Sequence, residues 1–177
     1  IGKAIHEFIS GFKCTFYISD FSFQKTAIEN GNYFFSPEQT DDYLKFMDFV
    51  FVCLPLTKET KGYINQALLS KLKRTSILIN TSRGEVIEED DLYYALKEGI
   101  INGAGIDTWY NYPKISSEKT FPSKKNPFHE LKNLVLSPHR AAFIENELPH
   151  LDDAIANLNR ASEGNPPLNI ISTKNKF

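Results

Sequence analysis

A chain of 177 residues, 41% of them hydrophobic and 13% aromatic, is long enough to enclose one sizeable core with an appendage left over. Its formal net charge is -2, and its 20 basic residues are scattered among 22 acidic ones; this excludes the electrostatic footprint of a nucleic-acid or anionic-membrane binder and points to a small partner. No run approaches the roughly 18 apolar residues of a membrane span, and no basic-then-apolar leader opens the chain; Cys14 and Cys53 lie in apolar runs, so buried free thiols in a soluble, reducing, cytoplasmic setting are expected.

Ile1, Ile5, Phe8, Ile9 and Phe12 fall on one face of a helix that ends near Gly11. Residues 14–18, short, aromatic and β-branched, read as a buried strand stopping at Ser19-Asp20. A loop with Gly31 and Pro37 leads to a short helix over 41–47, then an apolar strand over 49–53 halted by Pro55. Asn65 suits the cap of a helix carrying Leu68, Leu69 and Leu72, and residues 76–80 form the next strand. Glu88 and Glu89 precede a helix with Leu92, Ala95 and Leu96 inward and Gly99 behind, after which comes a strand over 104–107. Residues 114–132, rich in Lys, Ser and Pro, read as an exposed excursion before the strand 134–136.

Strands apolar throughout and separated by single helices indicate a parallel sheet covered on both faces, hence an α/β doubly wound, Rossmann-type domain. Leu148, Leu151, Ile155 and Leu158 mark a tail helix with Pro149 at its first turn and an apolar side in need of a partner; Gly164-Asn165-Pro166-Pro167 breaks it. The division is therefore 1–142 for the domain and 143–177 for an interdomain helix and tail.

In dinucleotide-binding folds the last glycine of the phosphate loop opens the first helix, and an acid about 20 residues later accepts hydrogen bonds from the adenosine ribose. Gly2 and Asp20 stand at that separation, although a glycine before a helix and an aspartate after a strand are common on their own. More specific are Leu54-Pro55-Leu56-Thr57-Lys58-Glu59-Thr60-Lys61-Gly62-Tyr63-Ile64-Asn65, Ile79-Asn80-Thr81-Ser82-Arg83-Gly84, Gly103-Ala104-Gly105-Ile106-Asp107 and Leu136-Ser137-Pro138-His139, four motifs in one order. Together they resemble the D-isomer-specific 2-hydroxyacid dehydrogenases, over nearly the whole chain but without the first strand and first two loop glycines of that family's cofactor domain.

The resemblance implies hydride transfer between NAD and a small 2-hydroxy or 2-oxo acid. It gives Arg83 the substrate carboxylate and carbonyl, a task suited to the fixed fork of a guanidinium, and His139 the proton of the carbonyl oxygen, near neutrality for an imidazole. It places Asp107 on the nicotinamide carboxamide, with Thr81 and Ser82 lining the same pocket. Leu54 and Pro55 flank the adenosine side, and Ile1, Gly2, Thr60 and Ala141 complete the cofactor set. Asp20 favours NAD, because a carboxylate repels the 2'-phosphate of NADP. His6, His129 and His150 read as structural, and no metal is expected. A homodimer through the cofactor domain is implied too.

One position departs from the family pattern. Where most members carry a glutamate that pairs with the histidine, Asp107-Thr108-Trp109-Tyr110-Asn111-Tyr112-Pro113 has Tyr112. A phenol, neutral at pH 7, can orient an imidazole by hydrogen bonding without stabilising its cation, so carbonyl reduction is expected to favour more acidic pH than in glutamate-bearing relatives. Tyr112 packing beside Trp109 is the plainer alternative. The chain alone is expected to bind NAD weakly and to turn over little; a corepressor-like NAD-binding scaffold and a degenerate paralogue are the other readings.

Overall fold

The structure, a computed structural model, describes residues 1–114, 120–141, 149–168 and 170. It divides into Ile1–Ala141 and Ala142–Phe177. The first unit begins with α1 (Gly2–Ile9), three residues shorter than the apolar spacing suggests, and β1 (Tyr17–Ser19). The presumed loop that follows contains a hairpin of β2 (Ala27–Glu29) and β3 (Asn32–Phe35). Its turn is Asn30-Gly31, both at positive φ (51° and 79°), the dipeptide that two-residue hairpins favour. β3 also pairs in parallel with β1, giving the order β1-β3-β2.

A 3-10 turn at Pro37–Gln39, α2 (Thr40–Tyr43) and a second 3-10 turn at Leu44–Phe46 replace the single short helix expected there. Four strands follow: β4 (Phe49–Val52), β5 (Ile77–Asn80), β6 (Gly103–Ile106) and β7 (Leu134–Leu136), parallel and in that order. α3 (Gln66–Leu69) and α4 (Glu89–Lys97) connect them. Asn65 caps α3 as its sequence position suggests, accepting from the amides of Ala67 (3.0 Å) and Leu68 (3.3 Å). α4 presents Leu92, Ala95 and Leu96 to the core, all buried, and each leucine so placed contributes about 1.5–3 kcal/mol. Leu69, Leu78, Val86, Ile87, Ile101 and Phe128 complete that core.

The Rossmann-type α/β class expected from the sequence holds, with three differences of detail. The parallel sheet is divided: β1 and β4 do not pair, and α1 reaches toward both, with Gly2 beside Cys53 just past β4 and His6 edge-on to Phe16 (4.4 Å) just before β1. Cys14 is exposed and Cys53 half-buried, because neither apolar run is fully covered; both thiols are free. The excursion is anchored rather than loose, since Ser123 donates to Glu89, Asn126 donates to Asp90 (2.7 Å), and Phe128 is buried against Tyr93 and Tyr110.

The second unit contains α5 (Pro149–Ser162), with the proline in the first turn, followed by Gly164 at φ 73°. Leu151, Ile155 and Leu158 are exposed, and Asn157 accepts from the amide of Leu168 (2.6 Å). Leu148 lies outside the described residues.

Candidate active site at the ends of three parallel strands

β5, β6 and β7 are neighbours running in one direction, so the residues just after them share the carboxyl edge of the sheet, where open α/β sheets hold ligands. Arg83 follows β5, Asp107 follows β6 and His139 follows β7.

The turn after β5 is tied by Asn80, whose Oδ1 accepts from the amide (3.0 Å) and hydroxyl (2.9 Å) of Ser82 while its Nδ2 donates to the carbonyl of Arg83 (3.0 Å). Ser82 is buried, Thr81 half-buried and Arg83 exposed, its Nη1 donating to the carbonyl of Ser82 (2.6 Å). Gly84 follows with no room for a side chain, since a Cβ there would stand 2.6 Å from the carbonyl oxygen of Trp109.

The turn after β7 is held by Asp107. Its Oδ1 accepts from the Ser137 hydroxyl (2.5 Å) and the Arg140 amide (2.7 Å), and its Oδ2 from the Ala141 amide (3.0 Å). Burial opposes ionisation of this carboxyl, but these three donors and the neighbouring His139 prevail and hold it below the usual carboxylate range. His139, inside this turn, has φ 56°, a left-handed conformation rare for a side-chain-bearing residue. The Asp107 carboxylate is thus engaged by the protein's own backbone.

Tyr112 lies beside His139 with ring centroids 5.5 Å apart and planes tilted by 45°. The link expected through the hydroxyl is replaced by ring contact: the Tyr112 hydroxyl accepts from the Trp109 amide (2.7 Å). Trp109 and Ser137 were not singled out from the sequence; the indole Nε1 donates to the Ser137 carbonyl (2.7 Å), and the only available signal was a tryptophan two residues past a strand-end aspartate.

Of the other residues expected at the cofactor, Asp20 follows β1 and is exposed, Oδ1 accepting from the amide (2.8 Å) and hydroxyl (2.6 Å) of Ser22. Ile1 precedes α1 with no side-chain cap and Gly2 opens the helix, whose first turn holds no acid, leaving its amides for an anion. Leu54 is half-buried and Pro55 exposed. The buried Thr60 hydroxyl closes the 55–60 loop, donating to the Pro55 carbonyl (2.5 Å) and accepting from the Thr57 amide (2.8 Å). His6 meets Phe16 edge-on and His129 stacks on Phe121; the side chain of His150 lies outside the described residues. Among the described residues no group of three His, Cys, Asp or Glu is placed to hold a metal, and no helix is long and apolar enough to cross a membrane.

A parallel α/β sheet with an arginine, an acid and a histidine just past the carboxyl ends of three adjacent strands is the architecture of a Rossmann-type domain. Residues 1–141 match the family described as D-isomer specific 2-hydroxyacid dehydrogenase, NAD binding domain, and the chain belongs to that family. It is 38% identical over 130 residues to a glyoxylate reductase of Korarchaeum cryptofilum, covering 73% of this chain and 37% of that protein. To a glyoxylate reductase of Pyrococcus horikoshii it is 36% identical over 139 residues, covering 78% of this chain and 38% of the relative. A D-isomer specific 2-hydroxyacid dehydrogenase of Lactobacillus delbrueckii ssp. bulgaricus, solved with NAD, shares the fold at a TM-score of 0.81 and 24% identity over 97% of this chain and 53% of its own. The chain therefore spans little more than a third of the curated relatives named here.

Proposed function

We propose that this chain is the cofactor-binding and acid/base-bearing part of an NAD-dependent reductase of small 2-oxo acids, glyoxylate foremost, with 1–142 as that domain and 143–177 as an interdomain helix and tail. The placement of Arg83 and His139 just beyond β5 and β7, the two parallel strands that flank β6, carries this reading.

Bound NAD(H) would supply the hydride. The α1 amides with Ile1 and Gly2 would meet its diphosphate and Asp20 a ribose, while Leu54 and Pro55 would border the adenosine; Thr81, Ser82 and Ala141 would border the nicotinamide. Arg83 offers two parallel N–H donors to the substrate carboxylate and draws electron density from the adjacent carbonyl. His139 delivers a proton to the carbonyl oxygen on reduction and takes it back from the hydroxyl on oxidation. Asp107 holds the backbone that carries His139. The carboxylate of Asp20 supports NAD over NADP. The two free thiols support a reducing, cytoplasmic setting, the even mixing of charges a protein without nucleic-acid partners, and family resemblance a homodimer.

The test is NADH oxidation with a panel of 2-oxo acids, by this chain alone and by the chain fused to the remaining portion of the K. cryptofilum relative. Turnover by the fusion, abolished in Arg83→Gln and His139→Ala, is expected. A fusion that binds NADH yet reduces no 2-oxo acid overturns the proposal in favour of a nucleotide-binding scaffold.

A further inference from the structure

We infer that Trp109 is a positioning residue for His139, acting through both of its N–H groups; this rests on the proposed acid/base role of that histidine. The indole Nε1–H donates to the carbonyl of Ser137, two residues before His139, at 2.7 Å. Its main-chain N–H donates to the hydroxyl of Tyr112, whose ring lies 5.5 Å from the imidazole, also at 2.7 Å. One residue therefore fixes the backbone leading into the histidine and the aromatic wall beside it.

The fixing matters because His139 stands at φ 56°, which an L-residue leaves readily unless its neighbours over-determine it. Asp107 holds the turn from its far side, through Arg140 and Ala141, and Trp109 holds it from the near side, through Ser137. Trp109 also meets the other arm of the site, since its carbonyl oxygen lies against Gly84, the residue after Arg83. It is only 8% exposed, so both donors are shielded from water that would compete for them. A phenylalanine would fill most of the same space and keep the main-chain N–H to Tyr112, but would leave the Ser137 carbonyl without its donor.

Trp109 is the single tryptophan of the chain, so the residue can be altered or observed alone. Trp109→Phe, and replacement by benzothienylalanine, which has the same shape with sulfur in place of the N–H, are compared with 5-fluorotryptophan, which keeps the donor. Imidazole C–H signals of His139 are followed by NMR in this chain, and kinetics in the fusion described above. In the two donor-less forms the His139 signals are expected to shift toward those of a solvent-exposed histidine and to broaden. Their kcat is expected to fall about tenfold with KM for the 2-oxo acid changed less than about threefold, the 5-fluoro form matching the parent. Tyr112→Phe is expected to give the same signal changes at smaller amplitude. Unchanged His139 signals and kcat in both donor-less forms overturn the inference. If Trp109→Phe fails to fold, benzothienylalanine and the exchange of the lone indole proton in the parent decide, rapid exchange counting against it. A parent fusion with no turnover would sink the dehydrogenase reading instead, and the NMR comparison would still judge Trp109.

Discussion

Asp107 concentrates more donors on one side chain than any other position of the site, and its replacement separates charge from shape. In Asp107→Asn an amide nitrogen must confront one of the N–H groups that the carboxylate accepts, so a loss of about 1–3 kcal/mol is expected at pH 7. Because the folded carboxyl titrates below its unfolded value, its stabilisation is complete above about pH 4 and vanishes as pH falls through the depressed value. Urea unfolding followed by Trp109 fluorescence should show a gap between parent and variant that is constant from pH 5 to 7 and closes in acid; an undiminished gap at pH 2 rejects the assignment. The cysteines give a second contrast at this scale. Burial pushes the Cys53 thiol up, whereas Cys14 is exposed, so a thiol reagent should label Cys14 at least about tenfold faster at pH 7.5, read by peptide mapping. Equal rates would mean that the Cys53 environment is open.

At the scale of elements, Asn65→Ala should cost about 1 kcal/mol by removing the acceptor for two amides of α3, measurable by thermal or urea unfolding; no loss would show that water replaces the cap fully. Gly84→Ala should destabilise more, by about 1–3 kcal/mol, because the new methyl group meets main chain that cannot swing away. These two positions illustrate what was legible in the sequence. Asn65 announced a helix start because capping is local chemistry, and the alternation of apolar runs with helical spacing gave β4 to β7 and α4 within a residue or so, whereas α3 stops at Leu69, short of the expected Leu72. The hairpin β2–β3 was carried by Asn30-Gly31, but its strands lack the alternation that marks a half-buried face: β2 is exposed along its length. In the site, Arg83, His139 and Asp107 stood out through motif order. The Trp109 bond to Ser137 did not, because a contact between residues 28 positions apart depends on strand order, which no local pattern encodes.

Taken whole, the molecule has a mixed three-stranded sheet and a parallel four-stranded one where a doubly wound domain has a single sheet, and the break has a defined place. In that architecture the central strand lies between the two halves of the sheet. Here β1 and β4 both end their sheets without a partner on one side among the described residues, and α1 packs toward each of them. α1 is strongly amphipathic yet buries none of its residues, as a helix does when the sheet beneath it is incomplete. An extended apolar segment lying parallel between β1 and β4 would pair both edges and cover the inner side of α1. Hydrogen exchange of the 177-residue chain should then find the amides of β5 and β6, flanked on both sides, the slowest, with β4 and β1 exchanging much faster. Fusion to the remaining portion of the K. cryptofilum relative should bring β1 and β4 close to the protection of β5. If those two strands keep their fast exchange in a fusion that is otherwise folded, the break is a feature of this domain, and the α1 amides would no longer be aligned above a sheet to receive a dinucleotide.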